Sequence, residues 1–185
     1  MENTQVVVRT VVKAKNIAAV NFSVVFVALS VALPWFAHQF QLAGPTYLPM
    51  HFFILFAGLL LGWRTGLIVG LFTPLISYAV SGMPMMSILP QITVEVALYG
   101  LVAGLAREAF RLNLYWSLLI SLIVGRLGSL LAIVIFNSGS SHTITSVLQA
   151  TKTGWPGLLI QIALIPLLVY VVKRYIDAHD QQSSE

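Results

Sequence analysis

Residues 48–80 read LPMHFFILFAGLLLGWRTGLIVGLFTPLISYAV. These 33 residues carry a single charged side chain, Arg64. A membrane-spanning helix takes about 20 mostly apolar residues, with a range of about 17–25. The stretch is therefore too long for one ordinary span and slightly short for two. A charge in the middle of the run belongs at a membrane surface, where it stays hydrated. The reading is two short helices, 48–63 and 65–80, turning at Arg64. A single re-entrant element is the alternative.

The rest of the 185-residue chain agrees with a lipid solvent. Apolar types make up 58 % of it and charged types only 9 %, against roughly 25 % charged in soluble domains. That excludes a disordered chain, and so few charges cannot furnish a hydrated surface. Four more apolar runs, 17–37, 88–106, 114–136 and 155–176, each suffice for one span. The predicted fold is an all-α integral membrane protein, a compact bundle of six transmembrane helices in one domain over 1–185. The re-entrant alternative lowers the count to five. The first run has no small-residue cleavage site after it and reads as a retained span. Cysteine is absent, which excludes disulfides, thiolate metal sites and a cysteine nucleophile.

The net charge of +4 reads as topology. With six spans, Arg9, Lys13, Lys15, Arg64, Arg107, Arg111, Lys173 and Arg174 fall on one side of the membrane, and Lys152 on the other. The excess of Lys and Arg in cytoplasmic segments places both termini inside. An odd count would put Lys173 and Arg174 outside. The basic residues thus point to a bilayer, with no nucleic-acid partner. The outer loops, 38–47, 81–87 and 137–153, contrast with the tight basic inner turns. They read either as simple connectors or as covers for a site that opens outward.

Small residues recur where helices would meet. Gly58, Gly62, Gly66 and Gly70 are spaced by four, and Gly100 and Gly104 repeat the interval. Apolar side chains gain little over lipid by meeting each other, so close backbone approach is what such spacing permits. The first run contains an A-x-x-x-A pair, Ala28 and Ala32. That pair is open to two readings, packing inside the bundle or a smooth surface for a partner protein.

Two ionisable residues fall well inside predicted spans, Glu95 and Arg126. At 1.5 Å per residue they lie roughly 10 Å and 16 Å below the outer ends of their helices. Antiparallel neighbours would bring them together. They read as a buried ion pair that holds helix register, or as a polar anchor for a ligand, with Arg126 offering its planar fork to a carboxylate or phosphate. His51, Tyr78, Tyr99, Asn137, His142, Trp155 and Gln161 lie at similar outer depth. Singly each suits an interfacial or packing role. Together they mark an outer pocket, since the inner halves hold almost no buried polar group besides Asn113. A channel or proton relay would need polar residues through the full depth.

Enzyme chemistry finds no support. There is no G-x-x-x-x-G-K-[ST] and no H-E-x-x-H, and Asp occurs only at 177 and 180. No metal or cofactor is expected. A stand-alone carrier remains a competing class, although no half-to-half repeat of the kind such carriers show is evident.

The chain resembles the substrate-binding S components of energy-coupling factor (ECF) transporters, the vitamin uptake systems of prokaryotes. The resemblance rests on Ala28–Ala32, on Leu48-Pro49-Met50-His51 followed by Ala57 to Gly62, and on Gly66 and Gly70. It continues through Thr73-Pro74-Leu75, Ser81-Gly82-Met83-Pro84, Glu95, Tyr99-Gly100, Gly104, Gly125-Arg126, Gln161 and Ile165-Pro166. It implies a multi-pass protein of a prokaryotic cell membrane that binds one micronutrient from outside. It implies partners too: a transmembrane coupling protein and two cytoplasmic ABC ATPases, which hydrolyse ATP while the S component topples to deliver its cargo. Ala28 and Ala32 carry over as the docking face for the coupling protein. Glu95, Tyr99, Arg126 and Gln161 carry over as ligand contacts, with Asn137 and Trp155 beside them; His51, at the start of the second span, joins them as a ligand candidate through its outer depth alone. An arginine in the cavity suits an anion, and pantothenate is the expected ligand. The alternatives are riboflavin, folate, hydroxymethylpyrimidine or cobalamin.

Overall fold

A computed structural model describes residues 16–39, 49–136 and 144–182. They form six helices: α1 (Asn16–Gln39), α2 (Pro49–Leu61), α3 (Trp63–Ser81), α4 (Leu89–Glu108), α5 (Leu114–Phe136) and α6 (Ile144–Gln182). Among the described residues there is no strand. Helices α3, α4 and α5 and the Thr151–Tyr175 part of α6 are long and apolar enough to cross a membrane. The apolar parts of α1 (Val20–Phe36) and α2 (Met50–Leu61) are shorter. Asn137, His142 and most of the predicted first outer loop, 38–47, lie outside the described residues.

The turn inside 48–80 falls at Gly62, not at Arg64. Gly62 has φ 93°, a conformation that side chains with a Cβ rarely adopt. The helical ladder reaches it through the Gly62 N–H donating to the Gly58 carbonyl at 3.0 Å. It resumes with the Gly66 N–H donating to the Gly62 carbonyl at 3.0 Å. Arg64 instead occupies the first turn of α3, its guanidinium carbon 5.3 Å from the Trp63 ring centroid. Charge marks the hydrated surface, whereas backbone freedom selects the residue that turns.

The turn between α4 and α5 is also built by specific side chains. Arg107 Nη1 donates to the Leu112 carbonyl at 3.0 Å, and Asn113 Oδ1 accepts the Trp116 N–H at 2.9 Å. The latter satisfies one of the unpaired amides at the start of α5. The expectation that the halves predicted to be inner hold almost no buried polar group besides Asn113 needs correction. Asn113 is exposed, and the buried ones include Thr65, Ser117 and Ser121. Both serines donate within their own turn, to the Asn113 and Leu118 carbonyls, so neither needs a ligand.

The last helix starts earlier than its composition suggests. Residues 144–153, expected as loop, form its first turns. Ser and Thr cost only a few tenths of a kcal/mol each in a helix, so continuity with the long apolar run prevails.

Helix α2 sits at the centre and touches every other helix, while α4 packs on α2, α3 and α5. Glycine makes these contacts close. A Cβ on Gly58 would stand 2.5 Å from the Gly100 carbonyl oxygen, and one on Gly70 would stand 2.6 Å from that of Val96. Gly66 and Gly100 abut each other directly. The spacing by four is thus used for packing inside the bundle. Ala28 and Ala32 are not: α1 buries Ser23, Phe26, Val27, Ser30, Val31 and Pro34, and both alanines lie on its exposed side.

Candidate functional site

Three helices bring four of the sequence-selected residues together. Glu95 and Tyr99 lie one turn apart on the buried face of α4, at the i, i+4 spacing that lets side chains meet. The Tyr99 hydroxyl donates to Glu95 Oε1 at 2.7 Å. From α5, Arg126 Nη1 reaches the same oxygen at 3.0 Å. From α2, His51 Nε2 stands 3.9 Å from it, beyond hydrogen-bonding distance, and the imidazole lies against the Tyr99 ring with centroids 5.4 Å apart. His51 Nδ1 is buried with no hydrogen-bond partner. Glu95 is thus the hub of the cluster and is itself buried.

Neighbouring contacts hold this hub in register. Gln91, one turn before Glu95 on α4, donates through Nε2 to Ser129 Oγ at 3.0 Å. Gly125 lies against the Tyr99 ring, and Gly128 against Leu98. Helices α4 and α5 are therefore tied by two polar links flanked by glycine contacts. Sequence reasoning missed Gln91 and Ser129. The signal was present: Gln91 precedes Glu95 by four residues and Ser129 follows Arg126 by three, a ladder between antiparallel helices.

Arg126 keeps a second aspect. Its side chain is 21 % exposed, and with Tyr99 it lines a cleft of about 330 Å³ between α5 and α6. Leu122, Ile123 and Leu127 form one wall, and Thr151, Leu158 and Ile162 form the other. A guanidinium has five N–H donors. Glu95 engages Nη1, so the pair positions a planar cation at the edge of an apolar cleft.

The remaining candidates separate. Gln161 is buried on α6, one residue before the lining Ile162. Trp155 is 58 % exposed and does not line the cleft. Among the described residues no group of His, Cys, Asp and Glu has the arrangement of a metal site.

The family model for the ECF transporter substrate-specific component matches residues 20–172. The chain belongs to that family. No curated protein and no solved structure matches it. As an ECF S component it is a multi-pass membrane protein and a substrate-binding transport subunit, not an enzyme. Family membership implies a small-molecule substrate and association with the ECF module of membrane coupling protein and ATPases. The match runs from early α1 to late α6 and so includes every residue of the Glu95 cluster.

Proposed function

We propose that this S component binds pantothenate from outside a prokaryotic cell and delivers it inward. It does so with a transmembrane coupling protein and two cytoplasmic ABC ATPases that hydrolyse the ATP. Six spans with both termini in the cytoplasm are the topology that goes with this reading. The observation that carries it is Arg126, a cation beside an otherwise mostly apolar cleft, with Glu95 holding its Nη1 at 3.0 Å. A single ligand carboxylate would take the free side of that guanidinium. Tyr99 and His51 complete the wall around Glu95, and Gln161 supplies an amide from α6. A cleft of about 330 Å³ suits a small vitamin far better than one of cobalamin size. Ala28 and Ala32, on the exposed side of α1, form the docking face for the coupling protein.

The test is native mass spectrometry of the chain purified in mild detergent. The expected result is a co-purified species of pantothenate mass that is lost in Arg126→Ala. Another vitamin mass retains the transport role and discards pantothenate. An empty protein that also ignores added B-vitamins rejects vitamin binding.

A further inference from the structure

The cluster around Glu95 has one unfilled place. Tyr99, Arg126 and His51 all approach the carboxylate through Oε1, at 2.7, 3.0 and 3.9 Å, and Oε2 takes none of these contacts. His51 holds no hydrogen bond through either nitrogen. Its Nε2 stops short of Oε1, and its Nδ1 is buried without a partner. An imidazolium would strand both of its N–H donors here, so the arrangement is that of the neutral ring. With Glu95 negative, Arg126 positive and Tyr99 and His51 neutral, the cluster carries no net charge.

Helix α2 touches every other helix, and few ionisable groups can disturb that balance. The described side chains of α1, Val20 to Phe36, include none. Arg64 on α3, Arg107 and Glu108 on α4 and Tyr115 on α5 lie at the opposite end of the bundle from His51, and Tyr78 on α3 is exposed. On α6, Lys152, Tyr170, Arg174 and Tyr175 are exposed. Lys173 is about 16 Å along the helix from Ile162, which lines the cleft with Arg126.

A monoanion on Arg126 would leave the cluster with an uncompensated negative charge in the apolar part of the bundle, where such a charge is expensive. A proton on the His51 ring removes it. Nδ1 can take that proton without breaking any bond of Tyr99 or Arg126, and Nε2–H then faces Glu95 as part of a cation. The new Nδ1–H needs an acceptor, which the ligand itself brings. We propose that His51 is the proton acceptor of this site: each bound anion draws one proton from solution onto the imidazole, and anion and proton are released together. This rests on the anionic-vitamin reading above and adds how the charge of the occupied site is balanced. Binding that takes up a proton strengthens as pH falls and weakens as pH rises, by at most about tenfold per pH unit for one proton.

The test is calorimetric titration of the full chain in phosphatidylcholine nanodiscs with pantothenate. Phosphate, HEPES and Tris buffers release different heats when they give up a proton, so the dependence of binding heat on buffer counts the protons taken up. The carboxylate of pantothenate stays ionised between about pH 6 and about pH 8, so any slope belongs to the protein. The expected result is uptake approaching one proton per ligand, with affinity falling several-fold from the lower pH to the higher. Panthenol, with an alcohol in place of the carboxylate, should take up none. His51→Gln should bind pantothenate more weakly at the lower pH and lose both the uptake and the pH dependence. Nitrogen NMR of 15N-histidine gives a second readout that does not depend on that variant folding. In a chain carrying His38→Gln, His142→Gln and His179→Gln, His51 is the one labelled ring. Its shifts should change from neutral imidazole to imidazolium when pantothenate is added.

Pantothenate binding without proton uptake, or with a ring that stays neutral, overturns the inference while the proposed function stands. Uptake that persists in His51→Gln assigns the proton to Glu95 and overturns it as well. A neutral vitamin bound in place of pantothenate removes the anion and the inference with it, with vitamin binding intact. Failure of every vitamin rejects the proposed function and the inference together.

Discussion

Gly125 backs the ring of Tyr99. A Cβ at position 125 would collide with two ring carbons and stand 2.9 Å from the Glu95 carbonyl oxygen. The residue that follows, Arg126, pairs with the Glu95 carboxylate that Tyr99 also binds. One dipeptide on α5 therefore sets both how closely α4 approaches and where the cation sits.

Gly125→Ala should push the Tyr99 ring away and loosen the α4–α5 contact. Overpacking of a filled site costs about 1–3 kcal/mol. Reversible unfolding in mixed micelles would record that loss, and ligand affinity should fall with it. A variant as stable as wild type would show that the ring shifts without resistance.

Tyr99→Phe keeps the ring on Gly125 and removes only the hydroxyl. A hydrogen bond to a charged group contributes about 1.5–3 kcal/mol. Stability should drop within that range, with the helix content by circular dichroism unchanged. No loss would mean that the Glu95 carboxylate finds an equal donor elsewhere.

The Glu95–Arg126 pair should behave non-additively in a double-mutant cycle. Removing one partner of a buried pair strands the other and costs about 3–5 kcal/mol. Glu95→Gln and Arg126→Gln should each be strongly destabilised. The double variant should lose less than the sum of the two, because neither charge is then left alone. Additive losses would argue that the two groups act independently.

Ala28→Trp and Ala32→Trp test the exposed side of α1. Both positions face away from the bundle, so the fold and ligand binding should survive. Uptake in cells and co-purification with the coupling protein should be abolished by the bulk. Normal uptake in both variants would remove the docking assignment.

Gly100→Val should prevent assembly of the bundle. Gly66 abuts Gly100 directly, and both are held by backbone that cannot move aside like a flexible side chain. The measurement is the yield of monodisperse protein after detergent extraction, expected to collapse relative to Leu101→Val on the neighbouring position. Equal yields would show that α3 and α4 can part without loss.

Much of this molecule was legible in its residues. Scarce charge and long apolar runs demand helices in a membrane, because lipid cannot satisfy backbone polar groups left unpaired. Buried ionisable residues are expensive in that solvent, so Glu95 and Arg126 stood out from composition alone. Their partnership was foreseeable from antiparallel neighbours, and glycines at intervals of four announced close helix contacts. The turn within 48–80 was misplaced by two residues because Arg64 reports where water is, and Gly62 reports which backbone can turn.

Tertiary structure alone decided the rest. Period and composition place residues on a helix but do not say which side meets another helix. That is why packing inside the bundle stayed open for Ala28 and Ala32 until α1 buried its opposite side. Trp155 and Gln161, six residues apart on α6, differ in burial for the same reason. The convergence of Tyr99 and Arg126 on one oxygen of Glu95 depends on rotation and offset between α4 and α5. Those are fixed by what fills the interface, Gly125 and Gly128 against Tyr99 and Leu98, and not by any local preference of the chain.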